Sequence, residues 1–142
     1  MDAIGSTHPT PWTPSQRRTV LLRHTLPDGS WHFDWLIQTH ADDEARAATF
    51  RLVEPVHTLD EADLELTRLP DHRARYFTYE GPVSGGRGVV ARVASGIISL
   101  DTSAPEALEG HVQFQGRPPQ RVRLTQTQAP LWRLRLNLRG DA

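Results

Sequence analysis

The stretch SWHFDWLIQ, residues 30–38, decides how this chain folds. In an extended strand successive side chains point to opposite faces. Trp31, Phe33, Trp35 and Ile37 then make one apolar face, and His32, Asp34, Leu36 and Gln38 make the other. The aromatic face is ordinary core material. The second face sets an imidazole two residues from a carboxylate, which a plain half-buried strand does not need.

Neighbouring segments offer this strand its partners. Upstream, TVLLRH (19–24) reads as a strand, and TLPDGS (25–30) carries the Pro-Asp-Gly chemistry that favours a reversal. Downstream, the acidic loop THADDEARA (39–47) leads to a third strand, ATFRLV (48–53). EPVHTLDEADLELTRLP (54–70) is open between a loop with a short helix and an edge strand. DHRARYF (71–77) suits one helical turn with Asp71 as its N-cap, and YEGPVSGGRG (79–88) reads as loop. Five short alternating pieces complete the pattern: GVVARV (88–93), IISL (97–100), HVQFQ (111–115), RVRLTQ (121–126) and LWRLRLNL (131–138). The last places Trp132, Leu134, Leu136 and Leu138 on one face. Roughly eight short strands punctuated by turns predict a mainly β fold, a compact single-domain barrel with one or two short helical turns. It would span residues 19–139, after a proline-bearing flexible arm at 1–18.

Composition agrees with a turn-rich β protein. The chain has 142 residues, 37% of them hydrophobic, with 11 prolines and 10 glycines. No apolar run approaches the length of a membrane span, and the N-terminus lacks a signal-peptide core, so a cytoplasmic protein without membrane partners is expected. The absence of cysteine excludes a disulfide framework and thiolate metal sites. All 16 basic residues are arginines, and the net charge of −1 argues against a strongly basic nucleic-acid binder. Acids dominate residues 41–72, whereas 110–140 hold arginines and no acid, an asymmetry that permits an anionic ligand on the C-terminal side.

His32 and Asp34 project in parallel and are a usable pair of metal ligands. His24 would be a third if it stands opposite His32. Pairing with Trp31 would instead send His24 to the aromatic face, and both registers remain open from sequence. Further along, His72 sits beside Asp71, four residues before Tyr76, and leads into the glycine-rich loop, where backbone N–H groups and Arg87 can approach an oxyanion.

Together these segments resemble the 3′-phosphoesterase domain found at the N-terminus of many bacterial ligase D proteins of non-homologous end joining, and as free-standing small proteins. LLRH…WHFDWLIQ is similar to that family's strand ending in His, short turn and L-H-Y-D-F-R-L-E-like strand. DHRARYFTYEGPVSGGRG is similar to its D-H-P-x-x-Y-x-x-F-E-G-x-I-P-x-G-x-Y-G-x-G segment, and LWRLRL to its closing aromatic strand. The resemblance runs in order over about residues 19–138. It implies a compact β-barrel with a manganese-dependent site that trims 3′ ends of DNA or RNA, with an end-joining ligase or polymerase as partner. It implies His24, His32 and Asp34 as metal ligands, and His72 and Tyr76 as catalytic residues.

Departures from the pattern fall on the phosphate grip. The family arginine two residues after the metal aspartate is Leu36 here, and the strand's closing glutamate is Gln38. Arg73 replaces the proline after His72, and Ser84 and Arg87 replace the acidic and tyrosine positions of the loop. Arg73, Arg75 and Arg87 are the candidates to supply phosphate contacts. Two other readings compete. One is a catalytically degenerate member that binds metal and nucleic-acid ends or a repair partner. The other is a non-haem iron oxygenase using His32, Asp34 and His111, with Arg121 nearby.

Overall fold

The computed structural model describes residues 16–39 and 46–137. Nine strands are present among them: β1 (Gln16–Thr25), β2 (Trp31–Ile37), β3 (Ala47–Leu52), β4 (Ala62–His72), β5 (Gly81–Pro82), β6 (Val89–Ala104), β7 (Ala107–Phe114), β8 (Gln120–Gln128) and β9 (Leu131–Leu136). Hydrogen bonding follows the order β1-β2-β3-β4-β9-β8-β7-β6, and β6 pairs back onto β1. Eight antiparallel strands thus close in a ring, with the two-residue β5 added outside on β6. Closure leaves no ring strand with an open edge. The mainly β, single-domain expectation is met.

The alternation read from sequence fills the ring. Phe33, Trp35 and Ile37 from β2, Phe50 from β3, Phe114 from β7, Leu124 from β8 and Trp132, Leu134 and Leu136 from β9 pack in one interior cluster. Trp35 is fully buried and still satisfies its indole N–H, which donates to Thr19 Oγ1 at 2.7 Å. Trp31 belongs to the same side but lies at the rim, 41% exposed, with the Arg23 guanidinium stacked over it. Shifts of register within β6, opposite Leu21/Leu22 and between Leu100 and Thr102, bend this 16-residue strand.

A second apolar layer covers the outside of the ring. Val20, Leu22, Leu36, Ala47 and Val90 point outward from β1, β2, β3 and β6, and Phe77 closes over them, with Ala74, Tyr76, Tyr79 and Val83 packed alongside. Both faces of β2 are therefore buried. The segment that supplies this cover differs from its sequence reading. Asp71 does not cap a helix. The chain stays extended through His72, which pairs with Ala47, and the Asp71 carboxylate accepts from Arg68 instead. The helical turn is a short 3-10 segment, Ala74–Phe77, preceded by Arg73 without a side-chain cap.

Other boundaries also moved. The ambiguous 54–70 stretch is a 3-10 turn, Val56–Thr58, followed by β4. The pieces at 88–93 and 97–100 are one strand. Residues 16–18, assigned to the arm, begin β1, while the rest of the arm, the acidic residues 40–45 and Leu138 lie outside the described residues. No helix among the described residues is long and apolar enough to cross a membrane.

Candidate metal centre

The register of β1 on β2 resolves the alternatives. His24 stands opposite His32, with Leu22 opposite Asp34 and Val20 opposite Leu36. Opposed residues share a face, so both histidines and the aspartate converge outside the ring. The turn that sets this register is closed by Leu26 N–H donating to the Ser30 carbonyl at 2.8 Å. Its tip is held by Asp28, which accepts from Ser30 N–H and Oγ.

Asp34 lies at the centre and is 1% exposed. Its Oδ1 is 3.1 Å from His32 Nε2, and its Oδ2 is 3.5 Å from both His24 Nδ1 and His72 Nε2. His72 reaches the site because β4 runs on to it beside β3, where its backbone N–H donates to Thr49 Oγ1 at 3.3 Å. The far nitrogens of two rings are tied to carbonyls. His24 Nε2 donates to Arg87 O at 2.7 Å, and His72 Nδ1 donates to Pro70 O at 3.2 Å. Carbonyls only accept, so these contacts put the ring proton on the outer nitrogen. The inner nitrogens of the neutral rings then present lone pairs to a carboxylate.

Such an arrangement calls for a cation, either a metal ion between the groups or a proton on the ring nitrogen. His32 Nε2 and Asp34 Oδ1 make the same point, being buried and near each other yet without a hydrogen-bond partner. One ligand atom each from His24, His32 and Asp34 lie within 4.8 Å of one another. Ligands held at about 2.1 Å in an octahedron stand about 3 Å apart, close to the spacings around Asp34. Neutral imidazoles, a carboxylate and carbonyls behind the rings are a donor set suited to a divalent transition metal. Burial, the largest single influence on the Asp34 carboxyl, pushes its pKa up. Hydrogen bonds and positive charge from the His32 and His72 rings, in their protonated form, together outweigh it and lower the pKa from 3.8 to about 2.

The remaining predicted residues divide. Tyr76 packs edge-on against His72, with ring centres 5.8 Å apart, and Tyr79 packs on Tyr76. Arg75 lies over the Tyr79 ring at 4.4 Å, and Arg73 is exposed beside the turn. Arg87 folds onto its own loop, donating to Ser84 O and Ser84 Oγ, so it serves the site through its carbonyl. That carbonyl is positioned by Gly88, whose φ of +98° suits glycine and whose absent Cβ would collide with the Thr25 backbone. His111 sits on β7, three strands around the ring from β2, so the alternative triad with His32 and Asp34 does not assemble.

Charge asymmetry along the chain cancels in space. Arg121 and Arg123 meet Glu109, Arg133 meets Asp63, and Arg117 meets Asp60. Among the described residues, the arginine-rich C-terminal half therefore does not form a bare cationic surface. A separate groove of about 410 Å³, lined by His57, Arg92, Phe114 and Arg117 among others, contains none of the predicted site residues. Sequence reasoning missed the Arg87 and Pro70 carbonyls, because backbone acceptors leave no mark on residue type, and Thr49, whose hydroxyl meets His72 only through the pairing of β3 with β4. A scan against protein-family models and a search of curated proteins found no match to this chain.

Proposed function

We propose that this chain is a metal-dependent phosphoesterase of the cytoplasm, acting on 3′ ends of DNA or RNA during end repair, alongside an end-joining ligase or polymerase. The observation that carries the reading is the cluster of His24, His32 and Asp34, with a further histidine, His72, on the same carboxylate. Manganese is the ion we assign to it. A divalent ion held there supplies a contact to a phosphate oxygen and offsets the negative charge that develops in phosphoryl transfer.

The chain's own residues account for the rest. Asp34 stays ionised at neutral pH and aligns the surrounding imidazoles. His24 is held in one tautomer by the Arg87 carbonyl. His72 stands at the partly open side of the cluster, where Nε2, when the ring is protonated on both nitrogens, would hydrogen-bond a phosphate oxygen or pass its proton to the leaving oxygen. Tyr76 braces the His72 ring. Arg73 and Arg75, exposed at the turn, would balance phosphate charge in this reading.

The test is manganese-dependent release of phosphate from a primer-template bearing a 3′-phosphate, comparing wild type with Asp34→Ala and His72→Ala. Turnover by wild type and its loss in both folded variants support the reading. An inactive wild type that binds manganese through Asp34 would instead make the chain a metal-bearing binder of nucleic-acid ends.

A further inference from the structure

Among the strand arginines near the metal centre, Arg51 is one whose position no contact within the described residues explains. Along β3, Ala48, Phe50 and Leu52 point into the ring, so Thr49 and Arg51 point outward, and Arg51 is exposed. Its partner across the β2–β3 pair is Asp34. Opposed side chains in an antiparallel pair start about 4.5–5.5 Å apart at Cβ. An arginine facing a buried carboxylate across strands ordinarily closes a salt bridge with it. Here His24, His32 and His72 occupy the carboxylate, and Arg51 makes no ion pair or hydrogen bond within the described residues. By contrast, Arg68, Arg117, Arg121, Arg123 and Arg133 are all matched to acids.

We infer that Arg51 is a substrate-binding residue that clamps the terminal phosphate held at the metal centre. The inference rests on the phosphoesterase reading and deepens it by naming the anchor for the phosphate. A guanidinium is always charged and offers a fork of donors that matches two phosphate oxygens. Rooted opposite Asp34 on the neighbouring strand and on the same face, it has a side chain long enough to reach the cluster from the side away from His24. Leu36 cannot serve, because it is fully buried beneath Phe77 in the outer apolar layer. Arg87 is folded onto Ser84.

The experiment measures binding of fluorescent oligonucleotides ending in 3′-phosphate or 3′-hydroxyl to the manganese-loaded protein, followed by anisotropy. Wild type, Arg51→Ala, Arg51→Lys and the remote control Arg121→Ala are compared, with manganese affinity measured separately for each. The expected result is that Arg51→Ala weakens the 3′-phosphate complex about tenfold, the range of a charged hydrogen bond. Binding of the 3′-hydroxyl end and of manganese stays unchanged, and Arg51→Lys recovers only part of the loss. Arg51→Ala matching Arg121→Ala would overturn the inference, as would equal loss on both ends or no preference of wild type for the phosphate. Because binding is read rather than turnover, a protein that binds the phosphate end through Arg51 without hydrolysing it refutes the enzyme and keeps the clamp.

Discussion

Replacing Asp34 by Asn removes one charge and almost no volume, so it isolates what the carboxylate does. The group is 1% exposed, and its pKa is lowered from 3.8 to about 2. Burial works against that depression, and the His32 and His72 imidazoles overcome it. At 1.36 kcal/mol per pH unit the depression contributes ~2 kcal/mol of stability at neutral pH. The folded value lies below the unfolded one, so the contribution is complete above pH 3.8 and is lost as pH falls toward about 2. The Asn variant should lack that acid-dependent slope and be less stable at pH 7 by ~2 kcal/mol. Manganese adds a second difference, since a ligand at a hundredfold its Kd stabilises the folded state by about 2.7 kcal/mol. Urea unfolding followed by tryptophan fluorescence, at pH 7 with and without manganese, reads both effects. Wild type should gain from the metal and the variant should not. An Asn variant that unfolds at the wild-type midpoint and gains equally from manganese would refute the placement of Asp34 at a metal centre.

Two further substitutions probe how the site is built. Leu36→Arg forces a charge into the outer apolar layer under Phe77, and should cost several kcal/mol, read as a lower urea midpoint with no rise in phosphoesterase activity. Gly88→Ala meets both the +98° backbone and the Thr25 carbonyl. It should displace the loop that presents the Arg87 carbonyl to His24, lowering manganese affinity in calorimetry roughly tenfold or more, in line with losses at outer-shell partners, while the ring remains folded by circular dichroism.

Much of the ring was legible because a period of two is hard to mistake in WHFDWLI and LWRLRL, where large apolar residues alternate with polar ones. Less could be read where the same rule ran out. GVVARVASGIISL looks like two strands because Ala94–Gly96 lack bulk, yet pairing with β1 runs from Val89 to Ser99 across a bulge at Val93, and pairing with β7 joins it from Gly96. DHRARYF favours a turn by local propensity, but pairing with β3 holds Asp71 and His72 extended and delays the turn to Ala74. The convergence of His24 with His32 and Asp34 depended on a register that residue types left open. The turn between Thr25 and Trp31, closed by Leu26 and Ser30, set it and stood His24 opposite His32. Charge ran the other way. Arginines and acids that look segregated along the chain are cross-strand neighbours in the sheet, as Arg133 and Asp63 show.

The two apolar layers differ in weight. Among the described residues, nineteen buried ones fill the ring, whereas six make the outer cluster that holds down residues 73–83. Local opening is cheapest where few apolar contacts must be given up. The cover over β1–β3 can therefore detach as a separate cooperative unit while the ring stays intact. His72 and Tyr76 ride at its hinge and on its body, whereas His24, His32 and Asp34 stay with the ring. The cluster is thus divided between a rigid half and a yielding half, so opening of the cover would draw His72 away from Asp34 without unfolding the ring.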